Sequence, residues 1–386
     1  MQIAKSGKVS DSDCLRASTM MDGVQDIPTL PQTRGATAQK DANQKLRQGK
    51  TGKSQQEGGM FKAPQCSSTQ RKALLANLHI KTGSKDKRAL VQDSRCPSEP
   101  WMEEFFAKET KETYLAVNVG CNKGLDAVGM ARILSRNPKF NVYTMYKTIT
   151  GTDGNWRPAC GKPTNVKIAP DTPVAQGVVH CIEPMPNTIK SLQGAMEATG
   201  HKDSIIIKHA AMSNQTGKVL FPNALAGTEN FSLKSCLDDP TNPACMEVPM
   251  YTLDSYLEEA ESSNKDKPLI DMLLVDAEGF DWEVLQGADN TIDRARYLTF
   301  EVHNTGNWPT HSLVDLVQNN LKNFNCYWTA RNKLLRISDC LDDQLARLYD
   351  KQRSWSNVVC SHQREVELSQ VMENVFERSI AKQMPK

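Results

Sequence analysis

Aromatic residues are scarce in this chain, 6% of 386 positions. So few rings provide no stacking run of the kind that single-strand nucleic-acid binders use. Long apolar stretches are missing too. Nothing approaches the ~18 consecutive apolar residues of a membrane span. The opening residues MQIAKSGKVSDSDCLRAS lack the apolar core of a signal peptide and carry Asp11 and Asp13, which fit an acid-poor transit peptide badly. The expected compartment on these grounds is the cytoplasm. The eleven cysteines are odd in number and never fall as CxxC, which argues against a zinc module and against a full disulfide framework. Cys236 and Cys245 bracket CLDDPTNPAC and could bridge under oxidising conditions. Cys121 and Cys181 fall in expected core elements and read as buried thiols.

What is present is uneven. The net charge of +2 conceals 17 Lys+Arg against 8 Asp+Glu in residues 1–98, and 30 against 37 in the remainder. Residues 1–68 are rich in Gln, Gly, Ser, Lys and Thr without periodicity and read as a disordered basic arm. GKTGKS at 49–54 is a decoy. A P-loop needs a glycine where Arg47 stands and a strand before it.

Residues 69–113 read as a helical lead-in, with short helices at 69–80 and 99–112. Apolar runs then alternate with helical spacing: YLAVNVG (114–120), VVHCIEP (178–184), SIIIKHAAMS (204–213), VPMYTLD (248–254), IDMLLVD (270–276) and YLTFEVHN (297–304) are expected strands. NQTG leads to KVLF as an expected hairpin, and 310–323 as a helix. NCYWTAR, LLRIS and SNVVCSH follow as late strands, and a polar helix closes the chain near 363–380. Such alternation predicts an α/β domain over 114–362, with a mostly parallel sheet covered by helices on both faces, and a tail at 363–386. Residues 145–178 interrupt it as a long loop, a length usually reserved for function or disorder.

Ligands of open α/β sheets bind at the carboxyl ends of strands. These ends collect chemistry here. The first reads VNVGCNKG, where Gly120 and Gly124 flank a strand-to-helix turn that offers free N–H groups. The second ends at Glu183, an acid placed to grip a diol. Later ends read AAMSN, VDAEG and FEVHN, adding Asp276, Glu278 and His303. Asp276, Glu278 and His303 are the available bases, with His the natural choice near neutral pH. A metal on these three is conceivable and disfavoured, so none is assigned. No N/D-P-P-Y/F amino-methylation motif follows the strand ending in DAEG.

VNVGCNKGLDA, CIEPMPNTIKSL, AAMSNQTGKV, VPMYTLDSYL, IDMLLVDAEGFDWEVLQGA and FEVH, in this order over 114–304, resemble the FkbM-type methyltransferases, a family of class I S-adenosylmethionine-dependent enzymes. The resemblance implies a Rossmann-like seven-stranded sheet with a reversed last strand, for which NCYWTAR and SNVVCSH are the candidates. It implies S-adenosyl-L-methionine as cofactor. Gly120, Asn122 and Gly124 would border its methionine part, Glu183 would hold the ribose hydroxyls, and Ala211 and Met212 would flank the adenine. Asp276 would sit beside the sulfonium. Asn118 stands where the family has Asp, and Leu274 where it often has Lys, so cofactor binding is the firmer expectation. The implied function is O-methylation of a hydroxyl on a small molecule or glycan. The alternatives are a catalytically degenerate member that binds cofactor or a partner, and an RNA methyltransferase using the basic arm. The acidic domain disfavours nucleic acid.

Overall fold

A computed structural model of the chain describes residues 59–78, 99–158, 160–229, 236, 241–263, 266–303, 306–341 and 355–381. Most of the basic arm, including the GKTGKS decoy, lies outside the described residues.

Two helices, α1 (Ser68–Leu78) and α2 (Pro100–Lys108), precede the sheet. Strand β1 (Thr113–Val119) buries six of its seven residues, the near-continuous pattern of a parallel strand covered on both faces. It is followed by α3 (Leu125–Ser135) and α4 (Val142–Ile149), then β2 (Gln176–Glu183), α5 (Pro186–Ala198) and β3 (Ile205–His209). Pro186 opens α5 with its φ already set for a helix. Gly200, at φ 71°, ends it, and the His201 N–H returns to the Met196 carbonyl at 2.8 Å. Next come β4 (Ala211–Met212), β5 (Gly217–Pro222), β6 (Cys245–Tyr251), α6 (Leu253–Ala260), β7 (Ile270–Val275), α7 (Asp281–Gln286), α8 (Asp289–Arg294) and β8 (Ala295–His303). The chain closes with a short α9 (Leu313–Asp315), β9 (Phe324–Ala330), β10 (Lys333–Arg336), β11 (Trp355–His362) and α10 (Val366–Ala381).

The main sheet has eight strands in the order β10-β9-β11-β8-β7-β1-β2-β3, one more than the seven expected. The extra strand is β10, which folds back antiparallel on β9. β11 inserts antiparallel between β8 and β9, so SNVVCSH is the reversed strand, while NCYWTAR runs in the direction of the parallel five. The expected hairpin is also corrected. β4 and β5 do not pair with each other; both flank β6 in a separate three-stranded sheet, β4 parallel and β5 antiparallel to it.

Three other expectations change. Residues 59–67 belong to the domain, not to a loose arm: the Phe61 N–H donates to the Gln363 carbonyl, the Ala63 N–H to Asn325 Oδ1, and Cys66 is bridged to Cys340. Composition hid this because the segment is held by long-range partners. The 145–178 loop begins only after α4, and its interior is packed, with Trp156 buried against Gly227 and Arg132 gripping the Val166 carbonyl at 2.7 Å. The 310–323 helix is broken into a 3₁₀ turn at 308–310, the single turn of α9 and a π turn at 316–320.

The cysteines depart furthest from expectation. Cys121–Cys181, Cys326–Cys360 and Cys66–Cys340 are disulfide-bonded, against the reading of Cys121 and Cys181 as buried thiols, while Cys236–Cys245 is bridged as its loop allowed. Sequence spacing could not pair Cys121 with Cys181, because only the β1–β2 register, Asn118 beside Cys181, brings them together.

A buried acid at the start of β7 shows how the sheet base is closed. Asp271 accepts from Lys111 Nζ at 2.7 Å, Arg296 Nη1 at 2.8 Å and the Leu115 N–H at 3.0 Å, and Arg296 also meets Glu109 and Glu365. A cavity of about 610 Å³ at this edge is lined by that ion-pair network.

Candidate active site

β3, β2, β1, β7 and β8 run parallel and end along one edge of the sheet. There they open on a cavity of about 780 Å³ lined by Gly120, Asn122, Glu183, Asp276, Glu278 and His303 among others. Ala211 and Met212 also line it. Lys162 and Val166 of the packed loop close one side, and Phe221 and Glu229 of the β5–β6 region another. Asn118 and Gly124 do not reach the cavity; they stand behind its wall.

The glycine turn is shaped by protein contacts. Gly120 has φ 77°, and a Cβ there would fall 1.7 Å from the Asp276 carbonyl oxygen, so the close approach of the β7 end demands the glycine. Asp276 in turn gives its N–H to the Val119 carbonyl at 3.0 Å. Gly124, at φ 71°, lets the turn sit on Leu192 and Met196 of α5. Asn118 is buried, with neither amide atom hydrogen-bonded to the protein.

Glu183 is locked in place. One carboxylate oxygen accepts from the Asn122 N–H at 2.9 Å, the other from the Met185 N–H at 2.8 Å. Burial nonetheless pushes its carboxyl up to about 7. Asp281, which sequence reasoning missed, organises the DAEG turn by accepting from the Ala277 and Gly279 N–H groups, both at 3.2 Å. Glu278 takes φ 51° in that turn. Burial raises Asp281 to about 6. Asp276 is raised well above the usual carboxylate range, first by burial and then by the charges of Glu301, Glu278 and Asp281.

These shifts predict a pH dependence of stability. Glu99 and Glu183 titrate near 7 and Asp281 near 6 in the folded chain, each raised chiefly by burial above an ordinary value of 4.5 or 3.8. A raised carboxyl stabilises the fold fully below its unfolded value, and that contribution is lost as pH climbs through the folded one. The melting temperature is therefore expected to fall from about pH 5 to about pH 8. A flat or rising profile in calorimetric scans would contradict it.

Two further residues escaped the sequence reading. Glu301 Oε2 lies 2.6 Å from His303 Nε2. The two stand at i and i+2 on β8, hence on one face, a spacing that could have revealed the pair. Lys123, buried in the glycine turn, is ion-paired with Glu229 across the cavity wall. Among the described residues, no three His, Cys, Asp or Glu are grouped to hold a metal, and no helix is long and apolar enough to cross a membrane.

No curated protein sequence matches the chain. Solved structures with some likeness include the methyltransferase domain of METTL16, at 8% identity and TM-score 0.31 over 68% of this chain and 65% of that one. A human methyltransferase 10 domain containing protein reaches 7% identity and TM-score 0.29 over 76% and 82%. The chain thus spans just under two thirds of the first, and likeness at these scores decides nothing. The match to a family is more informative: it begins after the glycine turn and takes in Glu183, Ala211, Met212, Asp276, Glu278 and His303. Residues 169–323 match the methyltransferase FkbM domain, and the resemblance read from the sequence holds for that stretch.

Proposed function

We propose that the cavity binds S-adenosyl-L-methionine and that the chain transfers the methyl group to a hydroxyl of a small molecule or glycan. The observation that carries this reading is the Glu301–His303 pair, which shares one cavity with Glu183 and the glycine turn.

The residues present suit the cofactor. Asn122 Oδ1 and Asp276 Oδ1 are buried acceptors without a hydrogen-bond partner in the protein, and both residues line the cavity. Such atoms are costly unless a ligand or water satisfies them. Glu183 spends one lone pair of each oxygen on a backbone N–H, leaving others for a ribose diol. Ala211 and Met212 offer small and adaptable apolar surface to an adenine.

The bound cofactor supplies a methyl group already activated on a sulfonium, so the chain has only to align the acceptor hydroxyl and take its proton. With Nε2–H donated to Glu301, His303 presents Nδ1 as the base. As the S–CH₃ bond breaks and the new O–CH₃ bond forms, leaving a neutral thioether, the acceptor's hydroxyl proton passes to His303 Nδ1, with the Glu301 carboxylate facing the resulting imidazolium. Asp276, its carboxyl raised well above the usual range by burial and its acidic neighbours, lines the same cavity. The end of β7 reads DAEG in place of an amino-methylation motif, which favours oxygen over an exocyclic amine as acceptor.

Titration calorimetry with the cofactor, followed by transfer of labelled methyl to pools of hydroxylated metabolites and glycans, tests the reading. Glu183→Gln is expected to weaken cofactor binding about 10–100-fold, because one backbone N–H loses its acceptor and the diol loses a charged one. Absent binding to the natural chain, or equal binding to the variant, defeats the cofactor assignment.

A further inference from the structure

Four disulfides among the described residues and one surface loop point to a property unrelated to methyl transfer. Cys121, Cys181, Cys326, Cys340 and Cys360 are essentially inaccessible, and their bridges tie segments 34 to 274 residues apart in sequence. Bonds in such places form while the chain folds. Each forms as two thiols give up two protons and two electrons to a disulfide-exchange oxidant, a reagent of oxidising compartments and scarce in a reducing cytosol.

In such a compartment, Asn-x-Ser/Thr becomes an acceptor for N-linked glycan. Asn214-Gln215-Thr216 fits. All three residues are exposed, in the bend between β4 and β5. Asn214 Nδ2 makes one surface hydrogen bond, to Gln286 Oε1 at 3.2 Å, and Thr216 Oγ1 lies 3.3 Å from Ser255 Oγ. Both contacts exchange readily with water. None of the three residues lines the 780 Å³ cavity, so a saccharide here leaves its mouth open. The other sequon, at Asn230, lies outside the described residues.

We infer that this chain matures in an oxidising secretory compartment and is N-glycosylated at Asn214. The donor is a lipid-diphosphate oligosaccharide. The Asn214 Nδ2–C bond to the anomeric carbon forms as the sugar–phosphate C–O bond breaks. The amide gives up one proton, and the lipid diphosphate leaves with the electron pair. This location replaces the cytoplasmic expectation.

The test uses the full chain isolated from eukaryotic cells, alkylated without reduction and digested with trypsin. The peptide from residues 209–218, HAAMSNQTGK, should be recovered only after amidase removal of N-glycans, with Asn214 converted to Asp. The eight cysteines of these four bridges should resist alkylation until reduced. Asn214→Gln, and independently Thr216→Ala should the first variant fold poorly, should each lose one glycan-sized step in gel mobility. Either variant should keep the cofactor affinity of the natural chain. Recovery of the unmodified peptide as the sole form overturns the inference. So does a glycan confined to Asn230, or alkylation of these cysteines before reduction.

Discussion

Replacing Cys121 and Cys181 together by serine should weaken cofactor binding at least about tenfold, or about 1.4 kcal/mol. It should also destabilise the fold by roughly 4 kcal/mol, the loop-entropy value for a bridge of this span. Cys121 lines the cavity next to Gly120, and Cys181 stands two residues before Glu183 on β2. Their bridge fastens the glycine turn to β2 at the place where the Gly120 and Cys121 N–H groups reach the Ile182 carbonyl and the Asn122 N–H reaches Glu183. Without it the covalent tie between the turn and β2 is gone, and Glu183 loses a rigid frame. The control is Cys326→Ser with Cys360→Ser, which opens a 34-residue span between β9 and β11, away from the cavity, and should cost a similar stability. Calorimetry on both folded variants separates the effects. Equal cofactor affinity in the two would show that the Cys121–Cys181 bridge has no part in building the site.

The second large effect concerns proton removal. His303→Ala is expected to lower the rate of methyl transfer about 10²–10⁴-fold while leaving the cofactor dissociation constant unchanged. Added imidazole should restore part of that rate, since the cavity then has room for a ring where His303 stood. Glu301→Gln keeps an acceptor for Nε2–H but removes the charge opposite the imidazolium, so kcat should fall while KM for the cofactor holds. Glu301 acts as a positioning residue, and this split distinguishes it from one that only supports the strand. Asp276→Asn should cost less than His303→Ala, because the amide keeps the size of the carboxyl and one hydrogen-bonding oxygen. Full activity in both His303→Ala and Glu301→Gln would remove the pair from the mechanism.

Much of this was written in short-range pattern. Parallel strands announced themselves as apolar runs, and their carboxyl ends as glycine, acid and histidine, since a strand buried on both faces has nowhere else to put polar groups. Pairings between distant segments were not legible. Nothing local shows that Cys66 meets Cys340, or that Lys123 and Glu229 close the cavity wall. The glycines illustrate a third case. Gly120 and Gly124 were recognised correctly as a turn, yet what requires them is the Asp276 backbone and the side chains of α5, which only the assembled fold supplies.

The insertion of β11 between β8 and β9 has a consequence for synthesis on the ribosome. Glu301 pairs across to Asn357 and Val302 to Ser356, so the strand that carries Glu301 and His303 acquires its outer neighbour only after residues 355–362 are translated. Until then a nascent chain displays two open strand edges, β8 and β9, and Cys326 waits for Cys360. Over that interval the unpaired edges of β8 and β9 can accept other strands, and it closes only when residues 355–362 reach the sheet.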